Sequence, residues 1–253
     1  MLWYHPNNPA SPFRQIMISI IEIRKYIWLS TFFIAPFLAG PSAEAQMPAS
    51  LRGKVIRQRL FKTGPRVLAL TFDDGPDPII SPRILDALKT YHAHATFFVL
   101  GSCVNRHPEL LRRILAEGHA IGSHSYSHPK SCTPQQARDE LDRTEKAIWK
   151  ATGIKPDMFR PPYGIVQGTL AKEAIGRRYA LTLWTISSAD SRHVSVRMLA
   201  DNIIHTPSPG DIALMHDGAG HGDSAEALKI ILKELDQSGW KFVTLPVMAR
   251  MKN

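Results

Sequence analysis

Two kinds of apolar run alternate along this chain. Short runs of strand length, rich in β-branched and aromatic residues, fall at 66–72, 95–100, 119–123, 157–160, 180–186, 211–215 and 241–245. Between them, apolar residues at three- and four-residue spacing predict helices over 81–92, 108–117, 134–151, 168–178, 196–205 and 224–238. Strands that alternate with helices imply βα units and a parallel sheet, because parallel neighbours need a long crossover. The third helix has the clearest ends: Thr133 as the cap with Gln136 three residues on, Pro134 at the first helical position, and Gly153 beyond the last turn.

Seven strands with six crossovers fit an open doubly wound sheet or a barrel, and the polar residues decide between them. Asp73 and Asp74 follow the first strand, His124 and His128 the third, Arg160 and Tyr163 the fourth, Asp190 the fifth, His216 and Asp217 the sixth. A barrel brings all these strand ends to one face, whereas an open sheet spreads them along a line with one crevice. The chain has 253 residues, and an α/β barrel commonly fills about 250. The expected fold is an α/β barrel over residues 66–248, with 46–65 as a linker and 249–253 as a tail.

Residues 1–45 have a different pattern. Arg24 and Lys25 precede an apolar stretch from Tyr26 to Gly40, and Ala43-Glu44-Ala45 is a small-x-small site before Gln46. These are the three parts of an export signal, and the apolar stretch is shorter than the roughly 20 residues of a full membrane span. Cleavage is expected, with an uncleaved anchor as the alternative, and the protein is expected to be periplasmic or secreted. Residues 1–16 precede this unit, and a start at Met17 would give a more compact signal.

Hydrophobic residues make up 44% and charged residues 21% of the chain, values ordinary for a soluble globular protein that give no hint of disorder or of a multi-span membrane protein. Without residues 1–45, 28 Lys and Arg face 20 Asp and Glu, a net charge of +8. Such a charge favours an anionic envelope or an acidic polysaccharide. No basic run with interleaved aromatics suggests nucleic acid. Cys103 and Cys132 are the two cysteines; an oxidising compartment would let them pair, and two free thiols are the alternative.

The stretch "TFDDGPDP" poses a chemical question, because two adjacent carboxylates at a strand end repel each other unless their tasks differ. Taken singly, each motif has a structural explanation: Asp-Asp-Gly-Pro as a turn, the "HSYSH" histidines as surface residues, "RPPY" as a stiff connector, His216 as a core histidine. Together they suggest more. Two imidazoles four positions apart can reach one metal ion, and a carboxylate from another strand end completes a two-histidine, one-carboxylate set with room for water and substrate. One aspartate can then hold the metal while the other serves as general base.

In order and spacing, "TFDDGP", "HSYSHP", "RPPYG" and "LMH", with "ATFFVLG" at 95–101, resemble the signature blocks of the polysaccharide deacetylases, the NodB homology domain of carbohydrate esterase family 4. The resemblance covers about residues 66–248. It implies a distorted (β/α)7 barrel that removes N-acetyl groups from amino-sugar polymers, usually with zinc, cobalt being a further option. By position it implies Asp73 as catalytic base, Asp74, His124 and His128 as metal ligands, and Arg160 as the residue that orients Asp73. It further implies the Tyr163 backbone N–H as an oxyanion donor, His216 as general acid, and Leu214 and Pro161 at the acetyl pocket.

One block departs from the family pattern Asp-x-x-Asp-Trp. Anchored on Trp184, "LWTISSADSRHVS" puts Ser187 and Asp190 at the two acids and Ser191 at the tryptophan. Anchored on "ADSR", it puts Asp190 at the first acid, with His193 and Val194 for the second acid and the tryptophan. Asp190 is the acid expected to tune His216 in either register. Other readings remain: an O-acetyl esterase or small-amide hydrolase on the same site, a glycan-binding barrel without chemistry, and an iron oxygenase with the same ligand set. The glycan, among chitooligosaccharide, peptidoglycan and exopolysaccharide, is not specified by the sequence.

Overall fold

The computed structural model describes residues 46–57, 64–192 and 194–251. The expected signal segment, His193 and the last two residues lie outside the described residues. The strands are β1 (Val55–Ile56), β2 (Val67–Asp73), β3 (Ala95–Val99), β4 (Ala120–Ser123), β5 (Met158–Phe159), β6 (Ala180–Thr182), β7 (Ile186–Ser187), β8 (Asp211–His216) and β9 (Lys241–Phe242). The helices are α1 (Ile80–Thr90), α2 (Gly101–Arg106), α3 (Pro108–Ala116), α4 (Pro134–Thr152), α5 (Thr169–Gly176), α6 (Val196–Ile204), α7 (Gly222–Gln237) and α8 (Leu245–Met248). On α4 the cap is the expected one: Thr133 and Gln136 form a reciprocal capping box, and Gly153 closes the helix at φ 71°.

Every strand pair is parallel, in the order β1-β6-β5-β4-β3-β2-β8-β7, with β9 beside β2. The expected strand 180–186 is two strands. β6 lies near one end of this path and β7 at the other, yet only residues 183–185 join them. A chain advances at most about 3.6 Å per residue, so the two ends of the sheet must curl towards each other. The joining residues bond to both sides: the Leu183 N–H donates to the Ile56 carbonyl, and the Thr185 N–H to the Ile212 carbonyl. The barrel is closed here by crossing chain rather than by a continuous ladder, which is the distortion in its (β/α)7 plan.

The two faces of each strand have different tasks. In β2, Leu68, Leu70 and Phe72 pack outward against the helices. Val67 and Ala69 point inward, into a plug with Phe98, Met158 and Ile212. Met47, Ile56, Leu245 and Met248 belong to that plug, so residues 46–57 are part of the folded unit rather than a linker. The Arg52 guanidinium pairs with Asp157 at 2.9 Å, and Asp157 also accepts the Met47 N–H at 3.0 Å.

Candidate active site

The alternation that sends Val67 and Ala69 inward also sends Thr71 and Asp73 inward, nearer the C-terminal end of β2. On β8 the inward positions are Ile212, Leu214 and His216, and the register pairs Thr71 with Leu214 and Asp73 with His216. On β4 the inward set continues from Ala120 and Gly122 to His124, and on β5 from Met158 to Arg160. A side chain on Gly122 would collide with the Phe98 ring, so the glycine leaves space for packing beneath the site.

Arg160 is fully buried and lies over the Phe98 ring at 4.2 Å. It donates to Asp73 Oδ1 at 2.8 Å, to the Thr71 hydroxyl at 2.8 Å, and to the carbonyls of Thr182 and Leu183 at 3.2 and 3.1 Å. Thr182 ends β6 and Leu183 opens the crossing segment, so the irregular closure of the barrel helps to hold the arginine. Asp73 is only 2% exposed. Burial raises its pKa above the ordinary aspartate value against the pull of Arg160, which makes it a stronger base than a surface aspartate.

Asp74 leaves the strand with a left-handed backbone (φ 76°), so its side chain departs from the alternation that buries Asp73. Its Oδ1 lies 3.5 Å from His124 Nε2 and 3.6 Å from His128 Nε2. His124 Nδ1 meets the Arg160 carbonyl at 2.7 Å; a carbonyl only accepts, so Nδ1 carries the proton and Nε2 its lone pair. Burial holds the His124 pKa down at about 3, so the ring is neutral and its short approaches to Asp73 and Asp74 are not ion pairs. Asp74 Oδ1 is inaccessible and has no hydrogen-bond partner among the described residues. A neutral, oriented imidazole, a second imidazole tilted 53° to it and an orphaned carboxylate oxygen fit a divalent cation.

A second cluster, Asp190, His216 and His221, also has its potential ligand atoms within 4.8 Å of one another but does not suit a cation. The two rings are nearly parallel, at 19° and 4.7 Å, so their in-plane lone pairs do not converge. Both Asp190 oxygens are occupied: Oδ1 by His216 Nδ1 at 2.7 Å, Oδ2 by the His216 N–H at 2.8 Å and the Ser224 hydroxyl at 2.6 Å. This is a proton-holding arrangement. Burial alone lowers the His216 pKa, but the Asp190 hydrogen bond and charge, with Asp73 and Asp74 behind it, raise it to about 9. Ser187 accepts the Ala189 N–H.

Tyr163 stands at the rim with a left-handed backbone (φ 57°, ψ 13°) and a 59% exposed side chain, its ring 4.5 Å from that of His128. Pro161, two residues before it, and Leu214 on β8 are both buried. Cys103 and Cys132 are free thiols, and Cys103 Sγ lies 3.5 Å from the Asp74 carbonyl.

Two contributors were not assigned a role from the sequence. Asp217 Oδ1 accepts the Gly75 N–H at 3.1 Å and its Oδ2 the Ser81 hydroxyl at 2.5 Å, while its own N–H donates to the Asp73 carbonyl at 2.9 Å. It pins the turn that separates Asp73 from Asp74, and burial raises its pKa to about 7. Ser224, in the first turn of α7, orients Asp190. A carboxylate directly after "LMH" was the available signal for Asp217; for Ser224 there was none.

The fold and site thus define a parallel βα barrel whose C-terminal face carries a carboxylate and two imidazoles that could hold a divalent cation, flanked by an arginine-held aspartate and an aspartate-held histidine. A family profile for polysaccharide deacetylases matches residues 61–180. A peptidoglycan-N-acetylglucosamine deacetylase of Bacillus cereus is 37% identical over 185 residues, covering 72% of this chain and 67% of the relative. A chitooligosaccharide deacetylase of Bradyrhizobium is 34% identical over 200 residues, covering 73% and 91%. A crystal structure of a peptidoglycan N-acetylglucosamine deacetylase superposes with a TM-score of 0.72 at 33% identity, covering 80% of this chain and 95% of that one. The chain belongs to the polysaccharide deacetylase family, whose enzymes are divalent-metal-dependent hydrolases. It spans only 43% of the length of a related Listeria monocytogenes peptidoglycan deacetylase. The family fold alone does not guarantee chemistry: a pseudoenzyme of this family from Bacillus anthracis superposes with a TM-score of 0.67 at 27% identity.

Proposed function

We propose that this protein is an exported N-deacetylase that hydrolyses the acetamide of N-acetylated amino-sugar polymers, with zinc at Asp74, His124 and His128. The observation that carries the reading is the complete set of groups across β8, β2 and β4. Asp73 is held by Arg160 beside the ligand set, and His216 is held by Asp190 on its other flank. A binding-only barrel has no use for a buried arginine–aspartate pair facing a charged histidine. The oxygenase alternative is set aside by the family and its parallel barrel.

A divalent cation in this site supplies Lewis acidity, polarising the acetyl carbonyl and making water more acidic. Asp73, aimed by Arg160, takes the proton from the attacking water. The Tyr163 N–H is assigned to the oxyanion; one such donor is typically worth about 3 kcal/mol of barrier. Cleavage of the C–N bond expels an amine, and His216 donates the proton that makes it a leaving group. Acetate and the free amino sugar result. Leu214 and Pro161 are assigned to the wall against the acetyl methyl.

The reading is tested by acetate release from a panel of N-acetylated glycans and O-acetyl esters. Chelation should abolish activity and Zn²⁺ or Co²⁺ should restore it; full activity in protein shown to be metal-free would overturn the proposal, and a preference for esters would favour the esterase. Export rests on the tripartite segment before Gln46, and N-terminal sequencing of the protein from its native host should begin at Gln46.

His216 acts as an acid only while protonated, so activity should persist below a pH of about 9 and fall as pH rises through it. Asp190→Asn removes the charge that raises this pKa, so the alkaline limb of the pH–rate profile should move to lower pH with zinc content unchanged. Ser187→Ala should leave the limb in place. An unmoved limb in folded, metal-loaded Asp190→Asn would show that Asp190 only shapes its turn.

A further inference from the structure

A cationic shelf borne by α2 and α4 lies against the loop that carries the two candidate histidine ligands. Tyr126 sits between His124 and His128, and the Arg143 guanidinium lies over its ring at 3.5 Å. Asn105 donates to the Tyr126 hydroxyl at 3.2 Å, which leaves the phenolic proton to donate elsewhere. Arg106, the next residue, reaches Cys103 Sγ at 3.0 Å, and Cys103 in turn touches the Asp74 carbonyl. This connects the shelf to the ligand turn from a second side. Asn105, Arg106 and Arg143 are exposed.

Neither Arg106 nor Arg143 is paired with a carboxylate among the described residues. Elsewhere on the surface Arg113, Arg177 and Arg197 are each held by two or three acids. Glu140 reaches this loop, but its oxygens are spent on the Tyr126 and Ser127 N–H groups and the Ser127 hydroxyl, at 2.6–2.8 Å. Two guanidiniums and a phenol at the rim, all with donors to spare, match a carboxylate, which arginine binds through paired N–H groups.

We propose that Arg106, Arg143 and Tyr126 form a carboxylate-recognition subsite, and that the substrate is therefore an N-acetylated amino-sugar strand bearing carboxylates rather than a neutral one. The inference rests on the deacetylase reading of the adjacent site. The carboxylate is carried on the sugar itself or at the end of a peptide attached to it.

The test compares N-acetylated oligosaccharides of one length in three forms: neutral, with a sugar-borne carboxylate, and with that carboxylate extended by a short acidic peptide. The wild-type holoenzyme should prefer one carboxylated form over the neutral form by at least about tenfold in kcat/KM. That preference should shrink with added salt, as expected for exposed charges. In Arg106→Gln/Arg143→Gln the ratio of carboxylated to neutral kcat/KM should fall about tenfold, through KM. Which carboxylated form loses more identifies the source of the anion. A wild-type enzyme without preference, or a ratio unchanged in the folded double variant, would overturn the proposal. Calorimetric binding of the same oligosaccharides to zinc-loaded Asp73→Asn separates the two readings. Selective binding without turnover by wild type would refute the deacetylase and keep the subsite; turnover without selective binding would refute only the subsite.

Discussion

Asp73→Asn should retain its metal and lose about 10²–10⁴-fold in rate, the usual contribution of a general base. The expectation follows from how the structure separates two adjacent carboxylates. Asp73 stays on the inward face of β2, where Arg160 holds Oδ1 at 2.8 Å. Asp74 turns away on a left-handed backbone, and its orphaned Oδ1 faces both histidines. An amide at 73 keeps the shape and loses the basicity. An amide at 74 weakens the ligand set, so Asp74→Asn should lower zinc occupancy as well as activity. Zinc content and acetate release, measured on both variants, decide the matter. If Asp73→Asn loses metal while Asp74→Asn keeps it and stays active, the roles are reversed.

Arg160→Gln should have the second large effect, on stability and on pH dependence together. Removing one partner of a fully buried ion pair typically costs about 3–5 kcal/mol, because the other charge is stranded. Here the Thr182 and Leu183 carbonyls also lose their donor. The sign of the pH dependence follows from Asp73, whose folded pKa already lies above its ordinary value through burial. Such a group favours the fold when protonated and penalises it as pH rises above the unfolded value. Without Arg160 that penalty grows, so the deficit of the metal-free variant, measured by denaturant unfolding, should be larger at pH 7 than at pH 4. The acid limb of its residual activity should move to higher pH, since the base must be ionised to act. A deficit of the same size at both pH values would mean that Arg160 acts through packing on Phe98 rather than through charge.

Much of this site was legible in the chain because it is locally encoded. Period-2 alternation carries Asp73, His124, Arg160 and His216 to inward positions at strand ends, and a parallel barrel places strand ends on one face. The capping signals of α4 are equally local, with Thr133, Gln136 and Gly153 each acting within a turn of the helix end. The four motif blocks therefore sufficed to place the fold class and to nominate a candidate ligand set.

What the chain did not reveal depends on partners far apart in sequence. Residues 180–186 read as one strand from composition, but Leu183 bonds to Ile56 and Thr185 to Ile212, so closure of the barrel splits them. Residues 46–57 read as a linker because they lack a long periodic pattern; their burial comes from β6 and from Asp157, more than 100 residues away. The departure from the family pattern left the position of Asp190 undetermined in sequence. Folding brings Asp190 onto His216, 26 residues on, and Ser224 onto Asp190, 34 residues on. The sequence by itself determined which chemical groups this protein has and which face of each strand carries them, since side-chain direction is a local property of the backbone. Only the tertiary structure decided which group holds which, because hydrogen bonds and buried charges find their partners through the closing of the barrel rather than along the chain.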